Sequence, residues 1–199
     1  MITIIDYGAG NLFSVQNALN FLGVENNISS KVEDIISADK LILPGVGAFP
    51  DAMKMLDEAG LTEVIKEQAK KKALMGICLG MQMLFDKSYE FGETEGLGLI
   101  PGTVELMHPA NDLVIPHIGW NSLEKNEPCK LLERVNDGDY VYFVHSYAAV
   151  TDSKNVAAYC DYGMKVPALV MSGNVYGCQF HPEKSGKTGL GILKTFASL

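Results

Sequence analysis

The chain has 199 residues, of which 47% are hydrophobic, and carries a formal net charge of −8. This is enough to bury the core of one domain, and no break in composition divides residues 1–199 into two. The acidic balance provides no basic field for phosphate backbones, so nucleic acid is not an expected partner.

The opening Met1 to Asp6 lacks a basic leader and a cleavage site, and its Ile2 to Ile5 stretch reads as a strand. Leu12 to Leu22 reads as a helix, with Gly23 suited to its C-cap. Lys40 to Leu43 forms a second strand ending at Pro44-Gly45, two helical stretches cover Asp51 to Lys72, and Ala73 to Ile77 forms a third strand. Lys70-Lys71-Lys72 reads as an ordinary solvated helical face. Such alternation implies right-handed crossovers and a largely parallel sheet with helices on both faces.

The second half adds β-rich segments at Thr103 to Met107, Tyr140 to Val150 and Val156 to Asp161, then a hairpin of Ala168 to Met171 with Val175 to Phe180. These predict a smaller antiparallel β region. A last helix, Thr188 to Ala197, offers Leu190, Ile192, Leu193 and Phe196 to the sheet. No apolar run approaches the roughly 18 residues needed to span a bilayer, so the expectation is a soluble, cytoplasmic protein.

The four cysteines, Cys78, Cys129, Cys160 and Cys178, are too scattered for a disulfide framework and form no C-x-x-C zinc pair, so no metal is expected. Gly76-Ile77-Cys78-Leu79-Gly80 stands where an apolar strand meets a helix carrying Met81, Met83, Leu84 and Phe85, the setting of a nucleophile elbow. A nucleophile on a sharp turn needs neighbours without side chains, and a helix N-terminus favours the thiolate. The same pattern also suits a buried structural cysteine between two packing glycines.

Gln179-Phe180-His181-Pro182-Glu183 follows a strong strand pattern. Residues two apart in extended chain face one side, and Pro182 biases His181 toward that geometry, so Glu183 can orient the imidazole. His108, His117 and His145 read as turn or satisfied core residues. Cysteine, base and orienting carboxylate are thus available as a triad, although the sequence by itself does not bring residue 78 beside residue 181.

The elbow Gly76 to Gln82, with His181-Pro182-Glu183 roughly a hundred residues later, resembles the class I glutamine amidotransferases. Pro44-Gly45-Val46-Gly47 is similar to that family's oxyanion strand, and Val144-His145-Ser146-Tyr147 to its glutamine-binding segment. Within the family, the segments Asp6 to Asn11, Pro44 to Phe49, Pro116 to Asn121 and Gln179 to Ser185 most resemble glutaminase subunits of imidazole glycerol phosphate synthases. Relatives serving anthranilate, aminodeoxychorismate or guanylate synthesis usually carry histidine where Met81 stands.

The resemblance implies a catalytic triad of Cys78, His181 and Glu183, with backbone N–H groups of Leu79 and of Val46 or Gly47 as the oxyanion hole. It implies that Gly47, Gln82, Ser146 and Tyr147 hold glutamine, with no cofactor. It also implies a heterodimer with a (β/α)8-barrel cyclase subunit, which receives the ammonia. Asn11, Trp120 and Lys184 are the expected partner-facing residues, Trp120 being the lone tryptophan in a Pro/Gly-bordered loop. Competing readings are a glutaminase for another acceptor, an inactive regulatory module, and a cysteine hydrolase of another amide or ester.

Overall fold

A computed structural model of the chain describes residues 1–111 and 113–199. In chain order, the first half comprises β1 (Ile2–Ile5), α1 (Leu12–Phe21), β2 (Asn26–Ser29), α2 (Val32–Ser37), β3 (Lys40–Gly45), α3 (Phe49–Glu58), α4 (Thr62–Ala69), β4 (Ala73–Cys78) and α5 (Leu79–Gln82). Short strands β5 (Phe85–Ser88) and β6 (Thr94–Glu95) precede β7 (Ile100–Leu106), β8 (His117–Ser122) and β9 (Glu124–Lys125). The chain closes with β10 (Tyr140–His145), β11 (Tyr147–Val150), β12 (Val156–Asp161), β13 (Lys165–Ser172), β14 (Val175–Cys178) and α6 (Gly186–Ser198).

The central sheet has eight strands in the order β2-β1-β3-β4-β14-β13-β12-β9. It is parallel from β2 through β14 and antiparallel from β14 to β9. Alternation along each strand sends side chains to opposite faces. Ile2, Ile4, Ile42, Met75 and Ile77 pack with Val15 and Leu19 of α1 and with Ile192, Leu193 and Phe196 of α6. Ile5, Leu41, Leu43 and Leu74 meet Ile35, Leu56 and Ile65 from α2, α3 and α4. The expected α/β architecture, helices on both faces of a mixed and largely parallel sheet, is therefore the one observed.

A four-stranded sheet, β11-β7-β5-β6, and a two-stranded ribbon, β10-β8, complete the fold. The expected continuous segment Tyr140 to Val150 is divided at Ser146, because β10 pairs with β8 while β11 pairs with β7. The elbow helix is also shorter than expected, ending at Gln82. The carbonyls of Met83, Leu84 and Phe85 accept instead from the backbone N–H groups of Leu97, Leu99 and Gly98, so Phe85 opens a strand. Trp120 lies in β8 and not in a loop; the Gly119 and Asn121 beside it hide a strand that its partner β10 stabilises. Lys72 departs from the solvated-face reading, since its ammonium caps α2 by donating to the carbonyls of Ile35, Ile36 and Ala38. Among the described residues no helix is long and apolar enough to cross a membrane.

Close backbone approach positions the elbow. A Cβ on Gly80 would lie 1.9 Å from the Leu43 carbonyl oxygen, one on Gly76 would lie 2.5 Å from the Gly80 carbonyl oxygen, and one on Gly45 would lie 2.6 Å from the Gly80 nitrogen. None of these neighbours is a flexible side chain, so β3, β4 and α5 can interlock only through glycines. Gly80→Ala is expected to destabilise the chain by about 3 kcal/mol or more in urea titrations. Gly173→Ala, at φ +57° with open space around it, should lose only about 1 kcal/mol.

Candidate active site

Cys78 ends β4 with φ 55° and ψ −112°, a left-handed backbone on a non-glycine residue. Such a conformation costs on the order of 1–3 kcal/mol and persists only where the surroundings enforce it. Here the interlocked glycines do so, and the strain turns the side chain out of the strand toward the end of β10. Sγ lies 3.7 Å from the Val144 carbonyl and 3.9 Å from Gln179 Nε2.

His181 follows β14, the strand hydrogen-bonded beside β4, so the sheet itself carries residue 181 to residue 78. Its backbone N–H donates to the Tyr142 carbonyl at 3.0 Å. Nδ1 stands 2.8 Å from Glu183 Oε1, both side chains being almost fully buried. The carboxylate accepts there, so the proton belongs on Nδ1 and the neutral ring presents a bare Nε2. That Nε2 is buried and has no hydrogen-bond partner among the described residues. Orphaned buried groups are uncommon, and one at the reacting end of an imidazole marks a place for a substrate.

Burial pushes the His181 imidazole down, but the Cys78 thiol and the Glu183 carboxylate outweigh it and raise the ring from 6.5 to about 9. The 2.8 Å Glu183 contact is the firmer of these two causes, since no hydrogen bond of proper geometry joins Sγ to Nε2 at rest. Tyr7 braces the neighbouring strand. Its hydroxyl donates to the Pro44 carbonyl at 3.0 Å, and burial holds its proton well above the usual phenol range.

A cavity of about 560 Å³ opens over Cys78 and His181. The sequence-derived residues Val46, Gly47, Leu79, Gln82, Ser146 and Tyr147 all line it. Gln82 spends both amide hydrogens on the Tyr147 carbonyl and Gln179 Oε1, each at 3.0 Å, which leaves its own Oε1 as an acceptor for a ligand. Glu90, which the sequence reading missed, is the one acidic residue lining the cavity among the described residues. It also accepts from the Phe49 N–H at 2.7 Å at the start of α3. Nothing in the Ser88-Tyr89-Glu90-Phe91 run distinguishes this carboxylate from solvated ones, because its placement comes from capping a distant helix.

The three candidate partner residues gather around the His181–Ser185 segment. Asn11 shares a narrow crevice with His181 and Glu183, and Lys184 belongs to the segment. Trp120 pairs with Tyr142, whose backbone binds both His181 N–H and Ser185 Oγ. Trp120 is 55% exposed on the outer side of the ribbon.

The family model for glutamine amidotransferase class-I matches residues 3–198. The chain belongs to the class I glutamine amidotransferases. It is 50% identical over 201 residues to the imidazole glycerol phosphate synthase subunit HisH of Caldanaerobacter subterraneus subsp. tengcongensis, covering 100% of this chain and 98% of that one. Identity to the HisH subunit of Listeria monocytogenes serotype 4a is 49%, covering 98% and 94%. Among solved structures, a glutamine amidotransferase crystal structure superposes with TM-score 0.77 at 22% identity, covering 100% of both chains. PurLQS from Thermotoga maritima follows at 0.74 and 21%, covering 99% and 97%. At those identities the superpositions speak for the class I amidotransferase fold alone.

The electrostatics of this amidotransferase site yield a pH prediction. A histidine raised from 6.5 to about 9 contributes stability that is fully present below pH 6.5 and fades as pH rises through 9. NMR titration of His181 should show a midpoint near 9. In Glu183→Gln burial dominates, and the midpoint should fall by at least two units.

Proposed function

We propose that the chain hydrolyses glutamine to glutamate and ammonia and delivers the ammonia to a cyclase subunit that makes imidazole glycerol phosphate in histidine biosynthesis. The observation that carries the chemistry is the strained Cys78 opposite the orphaned His181 Nε2, with Glu183 behind the ring. The near-half identity to HisH subunits over almost the whole chain carries the choice of acceptor.

In this reading Cys78 Sγ attacks the side-chain amide carbon of glutamine as its proton passes to His181 Nε2. The carbonyl oxygen becomes an oxyanion facing the backbone N–H groups of Leu79 and of Val46 or Gly47, each donor contributing about 3 kcal/mol to the transition state. His181 gives the proton to the departing nitrogen; the C–N bond breaks, ammonia leaves and a thioester remains. Water then attacks the thioester while Nε2 takes one of its protons, and that proton returns to sulfur as glutamate departs. Glu183 keeps the ring oriented and stabilises its cationic form. Once Nε2 has taken the thiol proton, the Glu183 carboxylate on the far side of the ring holds it in the cationic form until the departing nitrogen takes that proton.

The cavity's polarity matches an amino acid. Gln82 Oε1 and Glu90 supply acceptors for the α-ammonium group, while Gly47, Ser146 and Tyr147 face its carboxylate. The partner is a (β/α)8-barrel cyclase forming a heterodimer with this chain, docked over Asn11, Trp120 and Lys184. Their placement behind the His181–Ser185 segment would put that surface against the catalytic imidazole.

Glutamate release is to be measured with and without the cyclase subunit and its nucleotide ligand. Stimulation of at least tenfold by the liganded partner, abolished in Cys78→Ala, is the expected result; activity indifferent to the partner would redirect the search to another acceptor enzyme. Gln82→Ala and Glu90→Gln should each raise the glutamine KM by about tenfold, the effect of losing one charge-assisted hydrogen bond. Trp120→Ala should weaken assembly by at least tenfold, as for a buried aromatic anchor.

A further inference from the structure

Two buried histidines outside the triad share one hydrogen-bonded line. His117 Nδ1 lies 3.1 Å from His145 Nε2, His145 Nδ1 lies 2.8 Å from the Tyr147 carbonyl, and Asn121 Nδ2 lies 3.4 Å from His117 Nε2. We propose that Asn121, His117 and His145 form a one-directional positioning relay that holds the Tyr147 carbonyl, and with it the Ser146-Tyr147 wall of the glutamine cavity. This rests on the glutaminase reading for its substrate.

The chemistry of its ends sets the direction of the line. At one end, the Tyr147 carbonyl can only accept, so His145 must carry its proton on Nδ1. Its Nε2 is then bare and must accept from His117 Nδ1–H, which leaves His117 Nε2 bare as well. At the other end, Asn121 Oδ1 accepts from the Ser122 N–H at 2.8 Å, and Asn121 Nδ2 donates to the Asp161 carbonyl at 2.8 Å. The amide orientation is therefore fixed independently, with its NH2 group toward His117 Nε2. Both ends require the same tautomers.

The line works only with both rings neutral, because a second proton on either would set N–H against N–H. Burial meets this condition by pushing each imidazole from 6.5 to about 4. Stacking fixes the ring plane of His117, which lies between Phe143 at 4.7 Å and Tyr162 at 4.0 Å, tilted about 20° from each. The Tyr147 carbonyl accepts from Gln82 Nε2 as well as from His145 Nδ1, so one oxygen ties the relay to Gln82, a residue that lines the cavity. His145 itself lines the cavity; His117 does not. The reaction thus depends on His117 through position alone.

The test uses the full-length chain and alkylation of Cys78 by iodoacetamide, read on the Cys78 peptide by mass spectrometry, with and without glutamine. The alkylation rate without glutamine reports the nucleophile, and the glutamine concentration giving half-protection reports binding without requiring turnover. His117→Phe keeps an aromatic ring between Phe143 and Tyr162 but removes the donor. It should raise the half-protecting concentration by about tenfold while changing the unprotected rate less than twofold. His117→Asn, whose side-chain NH2 group reaches about as far as Nδ1, should recover at least half of that loss on a logarithmic scale. Unchanged half-protection in His117→Phe would overturn the relay, as would equal impairment in both variants. The ¹⁵N shifts of the wild-type rings at neutral pH give a second, substrate-free reading: both must be neutral Nδ1–H tautomers, and an Nε2–H tautomer at either ring refutes the proposal. If glutamine protects Cys78 in no form of the chain, the glutaminase reading falls, while the tautomers still decide whether the relay exists.

Discussion

The site depends on a steric constraint at the crossing of β3 and α5. Gly80 passes so close to the Leu43 carbonyl that no side chain fits between them, and Gly45 and Gly76 complete the same contact. This interlock holds Cys78 in a left-handed conformation that the residue would not adopt in a free chain. The sulfur then leaves the sheet at the carboxyl end of the parallel strands, where crevices in open α/β sheets gather ligands. The same close approach brings the Pro44–Gly47 turn beside Cys78, so the backbone N–H groups proposed as oxyanion donors and the thiol are placed by one packing event.

The second constraint is strand order. β14 is added parallel to β4 after a long excursion through three other sheet segments, and its exit delivers His181 beside Cys78. Adjacency of residues 78 and 181 is thus a property of topology, invisible to any local pattern. The Cys78 elbow was legible because strain demands glycines, and the His181–Glu183 pair because extended chain has period two. The parallel half of the sheet was legible because its strands are short apolar runs separated by amphipathic helices. By contrast, β8 carries Gly119, Trp120 and Asn121, and β5 carries Asp86 and Lys87; these become strands only through partners far along the chain. The elbow helix read too long because Met83 and Leu84 keep a helical apolar pattern, while their carbonyls are claimed by residues 97–100.

The cavity-lining residues were legible to different degrees for the same reason. Gln82 sits one turn from Cys78, so local geometry sends it to the cavity. Ser146 and Tyr147 stand where the chain leaves the β10 ribbon for the β11 sheet, a break between two sheets that depends on the distant partners β8 and β7. Glu90 arrives by capping a helix begun some forty residues earlier, a relation that has no sequence signature.

The β8–β10 ribbon joins these parts because its two faces do different work. Its inward residues His117, Asn121, Phe143 and His145 build a polar line inside an aromatic packing, while its outward residues Ile118, Trp120 and Tyr140 remain exposed. Alternation makes the two faces inseparable: displacing the outer row shifts the inner one by the same backbone movement. Tyr142, between them in sequence, binds His181 and Ser185 through its backbone. The outer face is therefore connected to the His181 imidazole through β10 and to the Tyr147 carbonyl through the histidines. Among the described residues the ribbon has two strands and no third to stiffen it, so its geometry depends on what packs against each of its faces.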